Sequence, residues 1–188
     1  MWLLIAGFVM FLGAHLSPGV LGLREQLVGR LGEGRFLGVY IAISVIGMVC
    51  IMAGKVIAPV VIVWDPPAWG RQAALVLVAL AFILLAALLL PTNIRRLTGH
   101  PMLWGITAWS VGHLLANGDL ASMILFGGFG GYSVLSIWSL NRRGAQKRTT
   151  KCPVWQDVVT LAAGLGGYAV LLWAHPYLFG VRVPGLAF

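Results

Sequence analysis

The chain has 188 residues, of which 60% are hydrophobic and 10% charged, with a mean hydropathy of +0.93 and a formal net charge of +8. Ordinary soluble domains carry about 25% charged residues, so this composition excludes a water-soluble globular fold. Nucleic acid is excluded as a partner too, because the basic residues fall in short blocks between apolar runs, as in cytoplasmic loops.

In chain order, six apolar segments are predicted to be helices: roughly 2–18, 36–58, 72–91, 101–116, 120–139 and 156–175. Met1 to Leu16 has no basic residue ahead of its apolar run and no small-x-small cleavage site behind it, so it reads as a retained transmembrane helix. Pro18 to Arg35 reads as an amphipathic connector on the membrane surface, with Leu21, Leu23, Leu27, Val28 and Leu31 on its apolar side. Val56 to Trp69 is an apolar loop that Trp64 and Trp69 are suited to anchor at the interface. The segment 101–116 is short and is bounded by Pro91 to Gly99 and by the Asn117-Gly118-Asp119 turn. Small residues at Gly127, Gly128, Gly130 and Gly131, and at Ala163, Gly164, Gly166 and Gly167, are expected to let neighbouring helices approach. The fold class is therefore all-α, a polytopic membrane protein with a six-transmembrane-helix bundle in one domain over residues 1–188. The two cysteines, Cys50 and Cys152, show no CxxC, CxxCH or zinc-type spacing, and so no sign of a disulfide or of covalent haem.

Charge sets the expected orientation. Arg24, Arg30, Arg35, Arg95, Arg96, Arg142, Arg143, Lys147, Arg148 and Lys151 follow the first, third and fifth segments. Only Lys55, Arg71 and Arg182 remain for the other side, which places both termini outside the cytoplasm.

Two histidines fall at comparable depth in this arrangement. His15 lies roughly 20 Å along the first helix, and His100 begins the fourth. Imidazoles at membrane depth are costly, and two at one level can share a metal. Noncovalent b-type haem needs axial imidazoles, apolar walls and basic groups for its propionates, and Arg24, Arg95 and Arg96 are the expected propionate partners. Hydrogen-bonded packing histidines and basic residues kept for topology are the competing readings. His113 lies roughly 20 Å from His100 along the same helix, so those two cannot share an ion. His113, Asn117 and Asp119 form a further polar group, in which His113 and Asn117 share a helix face and Asp119 is expected to cap the next helix. A second haem on His113 and His175 is the remaining arrangement. No GxSxG, Walker loop, HExxH or paired-carboxylate pattern is present.

The stretches Phe11-Leu12-Gly13-Ala14-His15-Leu16-Ser17-Pro18, Gly99-His100-Pro101 with Gly105, and Gly112 through Ser122 followed by Leu125-Phe126-Gly127 carry a resemblance over nearly the whole chain. On them the sequence resembles the NnrU family of bacterial inner-membrane proteins, which is similar to the plant 15-cis-zeta-carotene isomerase. The resemblance implies haem b with His15 and His100 as axial ligands and a site role for His113 and Asn117. It also implies a location in the bacterial inner membrane. The activity implied is redox-gated chemistry, such as cis–trans isomerisation of a lipophilic polyene. The alternative it implies is a non-enzymatic accessory or electron-transfer protein, with a redox partner, supporting nitrogen-oxide metabolism in denitrification. One departure stands out: family members usually carry Arg before the His-Pro pair, and here that residue is Gly99. The Arg-x-x-x-His-Pro pattern is also similar to that of isoprenylcysteine-type membrane methyltransferases, a third reading that lacks its later acidic pair here.

Overall fold

A computed structural model describes residues 1–16 and 23–180. Among them are eight helices: α1 Trp2–Leu16, α2 Leu23–Leu31, α3 Glu33–Val56, α4 Gly70–Leu89, α5 Ile94–Leu97, α6 Pro101–Ala116, α7 Leu120–Arg142 and α8 Val154–Phe179. No named strand occurs among the described residues; the only extended pairing is an isolated antiparallel bridge between Ile62 and Asp119.

Four of the helices, α3, α4, α7 and α8, are long and apolar enough to cross a membrane. Helices α1 and α6, at 15 and 16 residues, rise only about 23–24 Å against a hydrocarbon core of about 30 Å. Helices α4, α7 and α8 carry exposed large apolar side chains, as at Val76, Leu135 and Val170, which suits lipid rather than water.

Several boundaries move from their sequence positions. The connector's Pro18 and Leu21 lie outside the described residues, and its remainder is α2 with an early start of α3 at Glu33. The break between them is Gly32, at φ 78°, whose N–H closes α2 on Val28 O and whose carbonyl accepts the first bond of α3 from Phe36. Only glycine adopts that backbone without strain. At the other end α8 continues past Pro176 to Phe179, and Gly180 at φ 67° ends it. Pro176 removes one backbone N–H from the helix, and it does so near the C-terminal end, where few turns follow it.

The described residues form two compact units. The first comprises Met1–Asp65 with Asn117–Gly128, the second Pro66–Ala116 with the chain from Phe129 onward. In the first, α1 runs antiparallel to α3 at backbone contact. A Cβ on Gly7 would stand 2.6 Å from Ile51 N and 2.7 Å from Gly47 O, and one on Gly54 would collide with Leu4 N. Leu4 and Ile51 are fully buried at this crossing. Gly128 makes the same allowance for the ring of Phe8, 2.8 Å from its ideal Cβ.

In the second unit α4 is the central helix. Helix α6 lies antiparallel on one side of it, with Gly105 against Ala81, Gly112 against Ala74 and Leu77, and Gly70 against Leu115 O. Helix α8 lies antiparallel on another, where a Cβ on Gly164 would stand 2.6 Å from Ile83 Cα and one on Gly167 3.3 Å from the Phe82 ring. A Cβ on Gly130 of α7 would stand 2.9 Å from Ser110 Cβ of α6.

The glycine clusters read from sequence are therefore used in part. Gly128, Gly130, Gly164 and Gly167 sit at close approaches, while a Cβ on Gly127, Gly131 or Gly166 would meet nothing within 4 Å among the described residues.

Candidate functional site

In the first unit, His15 occupies the last turn of α1. Its Nδ1 lies 2.8 Å from Phe11 O, and its ring stacks on Phe11 with centroids 4.1 Å apart and planes at 23°. A carbonyl oxygen only accepts, so Nδ1 carries the proton and the neutral ring has its lone pair on Nε2. Tyr40 of α3 tilts against the same imidazole at 5.4 Å, and Phe36 follows one turn earlier at 6.3 Å from Tyr40. The guanidinium of Arg24 lies over Phe36 at 5.9 Å and 3.6 Å from Glu33. Arg24, Glu33, Phe36, Leu37 and Tyr40 together line a cavity of about 200 Å³. An aromatic wall thus runs from imidazole to guanidinium within one unit. The sequence singled out both ends, His15 and Arg24, but not Tyr40 or Phe36; aromatic residues one turn apart on α3 were the available signal.

The same unit contains an ion pair. Lys55 Nζ donates to Asp119 Oδ1 at 2.7 Å and to Ser122 Oγ at 2.7 Å, and Ser122 Oγ lies 2.5 Å from Asp119 Oδ2. Ser122 N also donates to Asp119 Oδ1 at 2.9 Å, which makes Asp119 the N-cap of α7, as expected. Burial raises the Asp119 carboxyl, but the Lys55 ammonium and the Ser122 hydroxyl and amide outweigh it and hold it below the usual carboxylate range. Around this pair, Val63 N and Trp64 N donate to Gly118 O and Leu120 N donates to Val61 O, which pins the apolar loop to the Asn-Gly-Asp turn. Trp64 Nε1 donates to Asn117 O at 3.3 Å. Asn117 immediately follows Ala116, the last residue of α6.

In the second unit, His100 is the residue before α6, and its carbonyl accepts from Trp104 N. Its Nε2 donates to Asn141 Oδ1 at 3.0 Å. The ring of His113 instead repeats the arrangement of His15: Nδ1 lies 2.9 Å from Trp109 O, and the ring lies 5.1 Å from the indole four residues back. Trp109 in turn meets Phe129 edge-on at 6.1 Å. His175 packs on Phe179 at 4.9 Å.

Arg95 turns a guanidinium nitrogen to Leu88 O at 3.1 Å, and its own carbonyl accepts from Arg148 N. Gly99 has the backbone of Gln146 against it, 3.4 Å from its ideal Cβ. Arg96 faces Asp157, an acid the sequence reading did not single out. Asp157 Oδ1 accepts from Thr92 Oγ1 at 2.6 Å and from Asn93 N at 2.7 Å, and Oδ2 accepts from Asn93 Nδ2 at 2.7 Å. Asn93 is locked from its other side, donating to Cys152 O and accepting from Cys152 N. An acid in the first turn of an apolar helix was the signal for Asp157.

Each candidate thus acquires defined neighbours inside its own unit: His15 and Arg24 through Tyr40 and Phe36, Asp119 with Lys55, His100 with Asn141, and Arg96 with Asp157. Among the described residues no three His, Cys, Asp or Glu side chains gather into a metal-binding group, and a pair of axial imidazoles is not such a group.

Compared with known proteins, residues 3–183 match a family model described as NnrU protein. No curated protein and no solved structure matches.

Proposed function

Because the chain belongs to the NnrU family, we propose that it is a six-span protein of the bacterial inner membrane that holds a noncovalent b-type haem, with His15 as an axial ligand. The observation that carries this reading is the ring geometry of His15. The carbonyl of Phe11 fixes the Nδ1–H tautomer and the stacked Phe11 fixes the ring plane, which leaves Nε2 as the basic nitrogen. Orientation of a ligating imidazole through a carbonyl bond at its other nitrogen is the usual supporting arrangement in metal sites. Arg24 lies at the far end of the same aromatic wall, where a guanidinium suits a propionate, and it would exchange Glu33 for that partner.

For the second axial ligand the sequence points to His100. By helical rise His113 lies roughly 20 Å further along α6, too far to share an iron with a ligand at the level of His100. The haem, held by His15 and the second imidazole, would supply redox-active iron. The residues of this chain would orient the ligands, place cationic groups at the propionates and surround the site with apolar helix faces open to a lipophilic substrate. That combination suits redox-gated isomerisation of a polyene. Retention of both axial ligands throughout would instead suit electron transfer to partners in nitrogen-oxide metabolism. Apolar segments that alternate with ten basic residues on one side support six spans with both termini outside the cytoplasm.

The test is an oxidised and reduced absorption spectrum, with pyridine haemochrome quantitation, of the detergent-purified protein and four variants. Wild type is expected to hold near-stoichiometric haem b. His15→Ala and His100→Ala are expected to lose most of it, and His113→Ala and His175→Ala to retain it. Loss in His113→Ala with retention in His100→Ala would overturn His100 as the second ligand. Equal haem in all four variants would reject a histidine-ligated haem. Addition of carbon monoxide to the reduced protein then separates the two activities, since an electron carrier with both ligands fixed leaves the spectrum unchanged.

A further inference from the structure

The loop between α4 and α6 and the start of α8 border an open cavity of about 320 Å³ lined by Asn93, Ile94, Arg96, Leu97 and Asp157. It lies where α4 ends and α8 begins, two helices able to cross a membrane, and therefore at the level where apolar chain meets headgroup. Beside it Leu97, Val154 and Trp155 are exposed apolar groups. One wall is a cation and the other an anion, yet the two form no ion pair with each other or with any other described residue. Arg96 Nε is buried and has no hydrogen-bond partner among the described residues. Asp157 is held rigidly by Thr92 and Asn93, but only Oδ1 takes two donors; Oδ2 takes one, from Asn93 Nδ2. A carboxylate has about four acceptor sites, so Asp157, which lines the cavity, keeps acceptor capacity at Oδ2.

An orphaned guanidinium N–H and a preorganised, under-used carboxylate on one small cavity call for a ligand with both an anionic acceptor and a cationic N–H donor. We propose that this cavity binds the phosphoethanolamine headgroup of a bilayer lipid, with the phosphate on Arg96 and the ammonium on Asp157. A choline headgroup matches the phosphate but has no N–H to give Asp157. A glycerol-type anionic headgroup has no cation at all and sets its phosphate beside an uncompensated carboxylate. Val158 and Leu161, exposed apolar groups further into α8, supply the surface along which the acyl chains descend. The proposal is independent of the haem, because it concerns side chains of the second unit alone and is read by lipid retention.

The experiment is native mass spectrometry of the full-length, detergent-purified chain. It is titrated with phosphatidylethanolamine, phosphatidylcholine and phosphatidylglycerol of identical acyl chains, and separately with soluble O-phosphoethanolamine. Wild type is expected to retain phosphatidylethanolamine about tenfold better than phosphatidylcholine, consistent with one charge-assisted hydrogen bond. Asp157→Asn is expected to bring those two lipids to near parity, and Arg96→Gln to weaken both. Arg96 loses no protein hydrogen bond in that variant, so Arg96→Gln remains informative even where Asp157→Asn unfolds, as checked by circular dichroism. Equal retention of the two zwitterionic lipids by wild type would overturn the ammonium site. Preferential retention of phosphatidylglycerol would overturn it in favour of general attraction to the basic loops. Binding of the soluble headgroup as tightly as the lipid would overturn the bilayer as its source.

Discussion

Asp119 performs two tasks with one carboxylate: it caps α7 through Ser122 N and neutralises Lys55. Removing either partner leaves a half-buried charge without its counter-ion, and hydrogen bonds to charged groups contribute about 1.5–3 kcal/mol. Lys55→Met and Asp119→Asn are each expected to lower the melting temperature in detergent. The double variant is expected to lose less than the two single losses combined, because a shared interaction is lost only once. The pH dependence follows from the depressed carboxyl. The folded protein binds this proton less readily than the unfolded chain, so the stabilisation is complete above about pH 4 and fades as pH falls through the lower folded value. The difference in melting temperature between wild type and Asp119→Asn is therefore expected to be constant from pH 8 to 5 and to narrow below about pH 4. The capping role of Asp119 was legible in its place after Asn-Gly; its pairing with Lys55 was not, since nothing in a linear sequence joins two charges 64 residues apart.

At the scale of elements, close helix approach is concentrated at particular glycines. Gly54→Ala drives a methyl into the backbone of Leu4, and Gly164→Ala does the same at Ile83. Overpacking of this kind costs about 1–3 kcal/mol, and both variants are expected to melt earlier in detergent. Gly127→Ala and Gly131→Ala are expected to leave the melting temperature unchanged or raise it, because the added methyls meet no described atom and alanine favours the helix. Thermal unfolding of the four variants checks this contrast. The helices themselves were legible because apolar runs of spanning length, punctuated by Pro91, Asn-Gly-Asp and basic blocks, leave few alternatives. Which glycine of each cluster meets a neighbour was not legible, because that depends on how each helix is rotated about its axis. The i→i−4 imidazole bonds of His15 and His113 are in principle sequence-local. The bond from His100 Nε2 to Asn141 was not legible, because it joins residues 41 apart.

For the whole molecule, the testable quantity is orientation. Under the proposed topology a reporter fused to the C-terminus is active only on the non-cytoplasmic side. Neutralising Arg142, Arg143, Lys147, Arg148 and Lys151 is expected to produce a mixed population of reporter states, because half of the ten residues that set the bias are removed. A wild-type C-terminus in the cytoplasm would overturn the orientation.

The interleaving of the two units has a consequence during synthesis. The first unit needs residues 117–128, so it cannot close when its first 65 residues have been made. Lys55 leaves the ribosome 64 residues ahead of Asp119, an interval of roughly 3–13 s at ordinary elongation rates. Throughout that interval a cation at the end of an apolar helix has no counter-ion. It must stay in water or among headgroups, which delays the burial of this end of α3 until α7 begins to emerge.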